Sequence, residues 1–305
     1  MAIPILLDTD IGTDVDDAIA LALILASPEL DLRAVTVVSG DVGLRGRIAK
    51  KLLTLAGREG VPVAAGVREP VLRQRSFMWL GHEGTALVEP NEALHLTPKH
   101  GVDLLIDTIL REGPKVVTIG PLSNLAVAIM KEPAVITAIP HLTMMGGALG
   151  MHRDVPPTEY NLCSDAEASL VVLNAGISTT LVPLDVTLQV ALTTAHVARL
   201  RTSHSRLVQI LCDAIEVWAP LHRRFFQSQP GWDATTVALL HDPLTVAILL
   251  DPSLVTLERR RLRPSIEDGV FRLVADASAV EVEVAVAVDA QRFVELLMAR
   301  LLRLP

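Results

Sequence analysis

Cysteine is nearly absent. Cys163 and Cys212 are the only two in 305 residues and no CxxC spacing occurs, which excludes a disulfide framework and a thiolate zinc site. Aromatic residues make up 3%, too few for a stacking platform that binds single-stranded nucleic acid. Positive charge is also short: 27 Lys and Arg stand against 35 Asp and Glu, and a net charge of -8 argues against nucleic acid as a partner. The longest uncharged run, residues 134–152, is interrupted by Pro140, His141 and the Gly146-Gly147 pair, so no membrane span is expected. MAIPILLDTD has no basic leader region, and with the cysteine usage it implies a cytoplasmic protein. GxGxxG, GxxxxGK, GxSxG and HExxH are all missing, and His82-Glu83 lacks a second histidine.

What is present is aliphatic: half of the residues are hydrophobic and 20% are charged, enough for an extensive core. Through residue 185, apolar runs of strand length at 3–7, 32–38, 61–65, 115–119, 142–145 and 179–184 alternate with helical patterns at 16–26, 44–56, 99–111, 125–131 and 165–175. Near-continuous apolar strands between helices imply an α/β fold with an open, mostly parallel sheet and helices on both faces. Such sheets place ligands beyond the carboxyl ends of their strands. Residues 192–250 read as a helical addition that forms a lid over the site, and the aromatics between Glu216 and Asp233 fall within it. After Pro252 the period changes to two, clearest at Val280, Val282, Val284, Val286 and Val288, and a last helix covers 290–302. The basic run at Arg259, Arg260, Arg261 and Arg263 reads as a solvated edge strand. With no repeat and no linker, residues 1–305 are expected to form a single domain.

The segment LLDTDIGTDVDDAIAL concentrates chemistry. Asp8, Asp10, Asp14, Asp16 and Asp17 lie at the end of an apolar strand and the start of a helix, and so many close carboxylates repel unless a cation sits among them. Helix capping accounts for one or two of them, not five. All-oxygen ligands suit a hard cation such as Ca²⁺ or Mg²⁺. An EF-hand is excluded, because Thr13 and Ile19 stand where its Gly and Glu belong. Three further segments stand out: His241-Asp242 before a helix in HDPL, with helix capping as the simplest role for an isolated Asp242; the turn GPLSNLA at 120–126; and MMGGALGMHRDVPPTEYN, which contains Glu159 and Asn161.

Together and in this order, these segments resemble the nucleoside hydrolases, the inosine-uridine preferring N-ribohydrolases, over essentially the whole chain. The resemblance implies one Ca²⁺ bound by Asp10, Asp17, Asp242 and the main-chain oxygen of Ser123, with Asp8 orienting them. It implies ribose contacts from Asp16, Glu159 and Asn161, with Asp10 as general base. Asp41 is read as a further substrate contact, at a place where many members have Asn. The group that assists the departing base is His241 or His82. A ribonucleoside substrate and a homodimer or homotetramer follow from the same resemblance. The signature is two residues longer than the family's short form, which leaves Asp14 without a role, and Arg153-Asp154 stand where members often carry an asparagine that reaches the ribose.

Alternatives remain at this level. One keeps the fold and metal but acts on a modified nucleoside or another ribosyl compound. Another is a Ca²⁺-dependent ribose-binding protein without turnover. The Asp-x-Asp strand end is also similar to that of the haloacid dehalogenase phosphatases, but Gly12 stands where that family has Thr or Val.

Overall fold

A computed structural model describes residues 2–152, 155–228 and 232–305. The first part alternates as expected: β1 (Ile3–Thr9), α1 (Asp16–Leu25), β2 (Leu30–Val37), α2 (Val42–Leu55), β3 (Val63–Ala65), α3 (Gly101–Glu112), β4 (Lys115–Thr118), α4 (Ser123–Lys131), α5 (Ala134–Ala138), β5 (Leu142–Met145), α6 (Tyr160–Ser164), α7 (Ala166–Leu173) and β6 (Thr179–Val182). There follow α8 (Leu184–Thr187), β7 (Ala191–Thr193), α9 (Thr194–Leu200), α10 (Arg206–Phe226), β8 (Thr236–Leu239), α11 (His241–Leu250), β9 (Val255–Glu267), β10 (Val270–Ala275), β11 (Glu281–Val288) and α12 (Ala290–Leu301).

Among the described residues, nine strands form one sheet in the order β10-β9-β11-β6-β5-β4-β1-β2-β3. It is parallel from β11 through β3, and β9 and β10 add to it antiparallel. Alternate residues of β1 go to opposite faces: Ile5 and Leu7 join one apolar cluster and Leu6 the other, which is why the strand is apolar throughout. Helix α1 is buried on all sides from Asp16 to Ile24 and packs against α11. The central strand β1 lies between β2 and β4 and the chain leaves it in both directions, so the crevice at its carboxyl end is the switch point where ligands bind in such sheets.

Two expectations change. Residues 192–250 are not wholly helical, because Thr236–Leu239 form β8, which pairs antiparallel with β7. Four residues, TVAL, are too few for periodicity to separate a strand from a helix. The arginine run is on β9, but β9 is not an edge: β10 covers it through a tight turn at Asp268 and Gly269, both with positive φ (52° and 77°). Arg259 and Arg261 lie 3.6 and 3.5 Å from Glu281 on β11, and Arg263 lies 3.0 Å from Asp276. Among the described residues, no helix is long and apolar enough to cross a membrane.

Candidate active site

The end of β1 is joined to the start of α1 by a short loop, and this connection carries Asp10, Asp14, Asp16 and Asp17 into one cavity of about 320 Å³. Asp242 enters it from the first turn of α11 because α1 and α11 pack together, and the Asp242 amide donates to Asp16 Oδ2 at 3.2 Å. One carboxylate oxygen each from Asp16, Asp17 and Asp242 lie within 4.8 Å of one another. Neither Asp16 nor Asp242 caps its helix: the cap positions are Val15 and Leu240, which make no side-chain cap bond. Glu159, Asn161, Tyr160 and His241 line the same cavity, and Met78, Trp218, Phe225 and Phe226 supply an apolar wall.

Burial, then the charge of Asp14, pushes Asp16 well above the ordinary carboxylate range; burial, then the charge of Asp16, does the same to Asp242, and burial with the charge of Asp10 to Asp17. Asp14 is driven up to about 8, chiefly by burial. Burial raises Asp10 too, but the guanidinium of Arg45 opposes it. Arg45, on α2, is fully buried; Nε donates to Ser39 O at 2.7 Å, Nη1 to Ile11 O at 3.0 Å and to Asp10 O, and Nη2 to Thr13 Oγ1 at 3.0 Å. Its flat face lies 5.3 Å from the centre of the Trp79 ring. This one cation lies beneath a group of carboxylates that it cannot neutralise, and a hard divalent cation fits the remaining demand. Gly120 allows the close approach of β4's end to this loop: a Cβ there would come within 2.7 Å of Asp10 Oδ1 and 2.8 Å of Asp10 N.

The surrounding polar groups fix the strand ends. Glu159 caps α6 by accepting from the amides of Asn161 (2.6 Å) and Leu162 (3.0 Å), and also from Gly147 (2.8 Å). Asn161 donates to Ile119 O at 3.1 Å, tying α6 to the end of β4. Asp8 accepts from Thr36 and, at 2.7 Å, from Asn124; among the described residues its other oxygen is buried without a partner, and burial lifts its pKa to about 7. His241 Nδ1 shares a 2.7 Å hydrogen bond with Thr187 Oγ1, and burial together with His222 lowers its pKa to about 4.

Three expected residues are not brought to the cavity. Ser123 opens α4, where its backbone joins the helical ladder and its hydroxyl donates to Asp165; Ile119, at the end of β4, lines the cavity instead. Asp41 caps α2 by accepting from Leu44 N at 3.0 Å and faces a separate surface cavity with Arg68, Arg73 and His100. His82 lies behind Trp218, stacked on it at 5.8 Å, with Nε2 2.8 Å from Thr13 O. Arg153 and Asp154 lie outside the described residues. Sequence reasoning missed Arg45, Ile119 and Tyr160. Helical spacing puts Arg45 on the face of α2 that carries Ile48, Ala49 and Leu52, apart from Arg47, Lys50 and Lys51, and that is the signal that could have found it.

The model of the inosine-uridine preferring nucleoside hydrolase family matches residues 5–295. A pyrimidine-specific ribonucleoside hydrolase of Citrobacter koseri is 34% identical, covering 99% of this chain and 98% of its own. Among solved structures, a plant nucleoside hydrolase superposes with a TM-score of 0.86 at 28% identity, covering 99% of this chain and 100% of its own. A purine-preferring ribonucleoside hydrolase from Gardnerella vaginalis gives 0.85 at 29% identity, with 99% and 98% covered. With the family model spanning nearly the whole chain, and a relative above 30% identity matched almost end to end, the chain belongs to the inosine-uridine preferring nucleoside hydrolase family.

Proposed function

We propose that this cavity hydrolyses the N-glycosidic bond of ribonucleosides to ribose and free base, with Ca²⁺ held by Asp10, Asp17 and Asp242. The observation that carries the reading is the convergence of carboxylates from the β1–α1 loop, α1 and α11 with His241 and an apolar wall in one cavity at the sheet's switch point. In this reading the main-chain oxygen of the ligand set is that of Ile119, whose place in the cavity lining supports it. When bound, the ion supplies a more acidic water and a grip on vicinal hydroxyls.

The chain's own groups do the rest. Asp10, whose charge Arg45 favours more prominently than that of Asp17, takes the proton of the attacking water. Asp16, Glu159 and Asn161 hydrogen-bond the ribose. Glu159 has spent three of its roughly four acceptor sites on backbone amides, so it is held in one orientation. The dense negative charge stabilises the oxocarbenium-like cation that develops as the bond breaks. Trp218, Phe225 and Phe226 offer an apolar face to the base, and His241 donates a hydrogen bond to it as it leaves. Loss of the 2′-hydroxyl strands polar groups in the cavity, so 2′-deoxynucleosides are poor substrates. We further propose a cytoplasmic homodimer or homotetramer, on the family resemblance and, for location, the scarcity of cysteine.

A reducing-sugar assay over the four common ribonucleosides, their 2′-deoxy counterparts and a nitrophenyl phosphate ester tests the reading. Ribose release from at least one ribonucleoside without phosphate release from the ester supports it. Phosphate release alone, or ribose binding without turnover, contradicts it.

A further inference from the structure

Helix α8 ends at Thr187, which is fully buried, and it packs against α11. Backbone bonds lock the two elements together: Val190 N donates to Thr187 O at 3.3 Å, and Leu240 N donates to Val190 O at 3.0 Å. His241, the first residue of α11, is thereby held against the Thr187 side chain, with Nδ1 2.7 Å from Oγ1. A hydroxyl has one hydrogen to give. The other acceptor that Thr187 reaches among the described residues is Leu184 O, 3.5 Å away and beyond the ordinary range for such a bond. That carbonyl already accepts from the Leu188 amide at 3.1 Å. The hydrogen of Thr187 therefore goes to His241 Nδ1.

A neutral imidazole carries its hydrogen on one nitrogen, and the bond made by the other decides which. At pH 8 a histidine of ordinary pKa is already neutral, so the question arises whatever the surroundings do to its titration. With Nδ1 accepting from Thr187, the hydrogen of His241 belongs on Nε2. The ring lines the carboxylate cavity, and among the described residues only Thr187 hydrogen-bonds it, so the Nε2 hydrogen is the one it can offer there. Without the hydroxyl the ring is free to carry its hydrogen on Nδ1 instead. Nε2 would then turn a lone pair toward a departing base that is gaining negative charge. We propose that Thr187 is a positioning residue for the hydrolysis, holding His241 in the tautomer whose Nε2–H meets the base as the glycosidic bond breaks. The proposal rests on the ribonucleoside reading above, and it brings in a residue that does not itself line the cavity.

Two measurements test it. Nitrogen NMR of wild-type protein labelled in its histidines, at pH 8 with Ca²⁺ present, reads the tautomer directly once the His241 signals are assigned by their loss in His241→Ala. Nε2 should bear the hydrogen and Nδ1 should be bare; the reverse overturns the proposal. Kinetics then compare Thr187→Val, which keeps the branched shape but lacks the hydroxyl, with Thr187→Ser, which keeps the hydroxyl. On the preferred ribonucleoside the Val variant should lose on the order of tenfold in kcat, the worth of one hydrogen bond, with KM changed by less than about threefold. On nitrophenyl riboside, whose phenolate leaves unaided, it should lose less than about threefold. The Ser variant should stay within about threefold of the wild type on both. Unchanged kcat in Thr187→Val, equal losses on both substrates, or a Ser variant as impaired as the Val variant would overturn the proposal. If Thr187→Val does not fold, a wild-type Nδ1–H tautomer, or equal losses on both substrates in Thr187→Ser, overturns it as well. Ribose release by an enzyme whose His241 carries its hydrogen on Nδ1 sinks this inference alone; the Nε2–H tautomer without ribose release from any ribonucleoside sinks the hydrolase reading alone.

Discussion

Replacing Arg45 by Met removes what is, among the described residues, the one buried cation beneath the carboxylates and leaves a shorter, unbranched apolar side chain in its place. In the native protein the guanidinium satisfies the carbonyls of Asp10, Ile11 and Ser39 and the hydroxyl of Thr13, and it stacks on Trp79. All of these are away from solvent except the partly exposed Trp79, so methionine strands at least three buried acceptors at ~1–3 kcal/mol each. Relief of the guanidinium's own desolvation offsets part of that, and a net loss of about 3–5 kcal/mol is expected. For a chain of this size that is a fall in Tm of about 5–8 °C. Coulomb's law alone says that losing a positive charge should favour a divalent ion. The loop geometry opposes this, since three of the four hydrogen-bonded positions belong to the segment 10–13 that aims Asp10. Geometry should win, because metal sites tolerate little displacement of their ligands. Calorimetric melting and isothermal Ca²⁺ titration of Arg45→Met and Arg45→Lys check the argument: the Met variant should melt lower, bind Ca²⁺ more weakly and lose at least about tenfold in turnover, with the Lys variant between it and the wild type. A Met variant with wild-type Tm and wild-type Ca²⁺ affinity would refute the reasoning.

Other outcomes follow from the same site. Asp8 and Asp14 have pKa values raised to about 7 and about 8, so the folded metal-free protein holds protons that the unfolded chain has released, and that contribution to stability is lost as pH rises. His222 and His241, lowered to about 4, are neutral in both states above about pH 7 and do not oppose the trend there. The Tm of chelator-treated protein should therefore fall between about pH 7 and 8.5, and saturating Ca²⁺ should flatten or reverse the slope; a rising Tm without metal would contradict the raised values. His241→Ala should lose about 10²- to 10⁴-fold in turnover of the preferred ribonucleoside while largely sparing nitrophenyl riboside, whose phenolate leaves unaided. Equal losses on both would make His241 a support for the metal or ribose instead. Gly120→Ala forces a methyl against Asp10 and should weaken Ca²⁺ binding at a cost of about 1–3 kcal/mol in stability; unchanged titration curves would show that the strand end can yield.

The sequence made the sheet and the carboxylates legible for a physical reason. Buried parallel strands are apolar on both faces, so β1, β4, β5 and β6 stand out as short runs ending at Asp, Gly or Pro, and five acids at one strand end have no simple structural explanation. Function by contact was harder to read. Ser123 and Ile119 are four residues apart around one turn, and a main-chain oxygen leaves no mark in residue type. Asp41 is acidic and close to the site in sequence, yet its carboxylate is taken by the first turn of α2, the ordinary fate of an Asp before a helix. Arg45 falls on the buried face of α2, but its burial depends on carbonyls from residues 10, 11 and 39 that only the fold brings together. The β9-β10 hairpin was readable in principle, since Asp268-Gly269 between alternating segments is a strong turn signal. The adjacent arginines carry the opposite signal, that of a solvated edge.

The central claim is that buried carboxylates from the β1–α1 loop, α1 and α11 act through one hard cation on a ribonucleoside. The most direct measurement is ribose release by protein stripped of metal, verified by elemental analysis, before and after stoichiometric Ca²⁺, with Asp10→Asn run alongside. The account predicts no turnover without metal, recovery on adding Ca²⁺, and a folded Asp10→Asn protein that Ca²⁺ does not rescue. Full activity in verified metal-free protein, or near-normal kcat in Asp10→Asn with unchanged metal content, would contradict it.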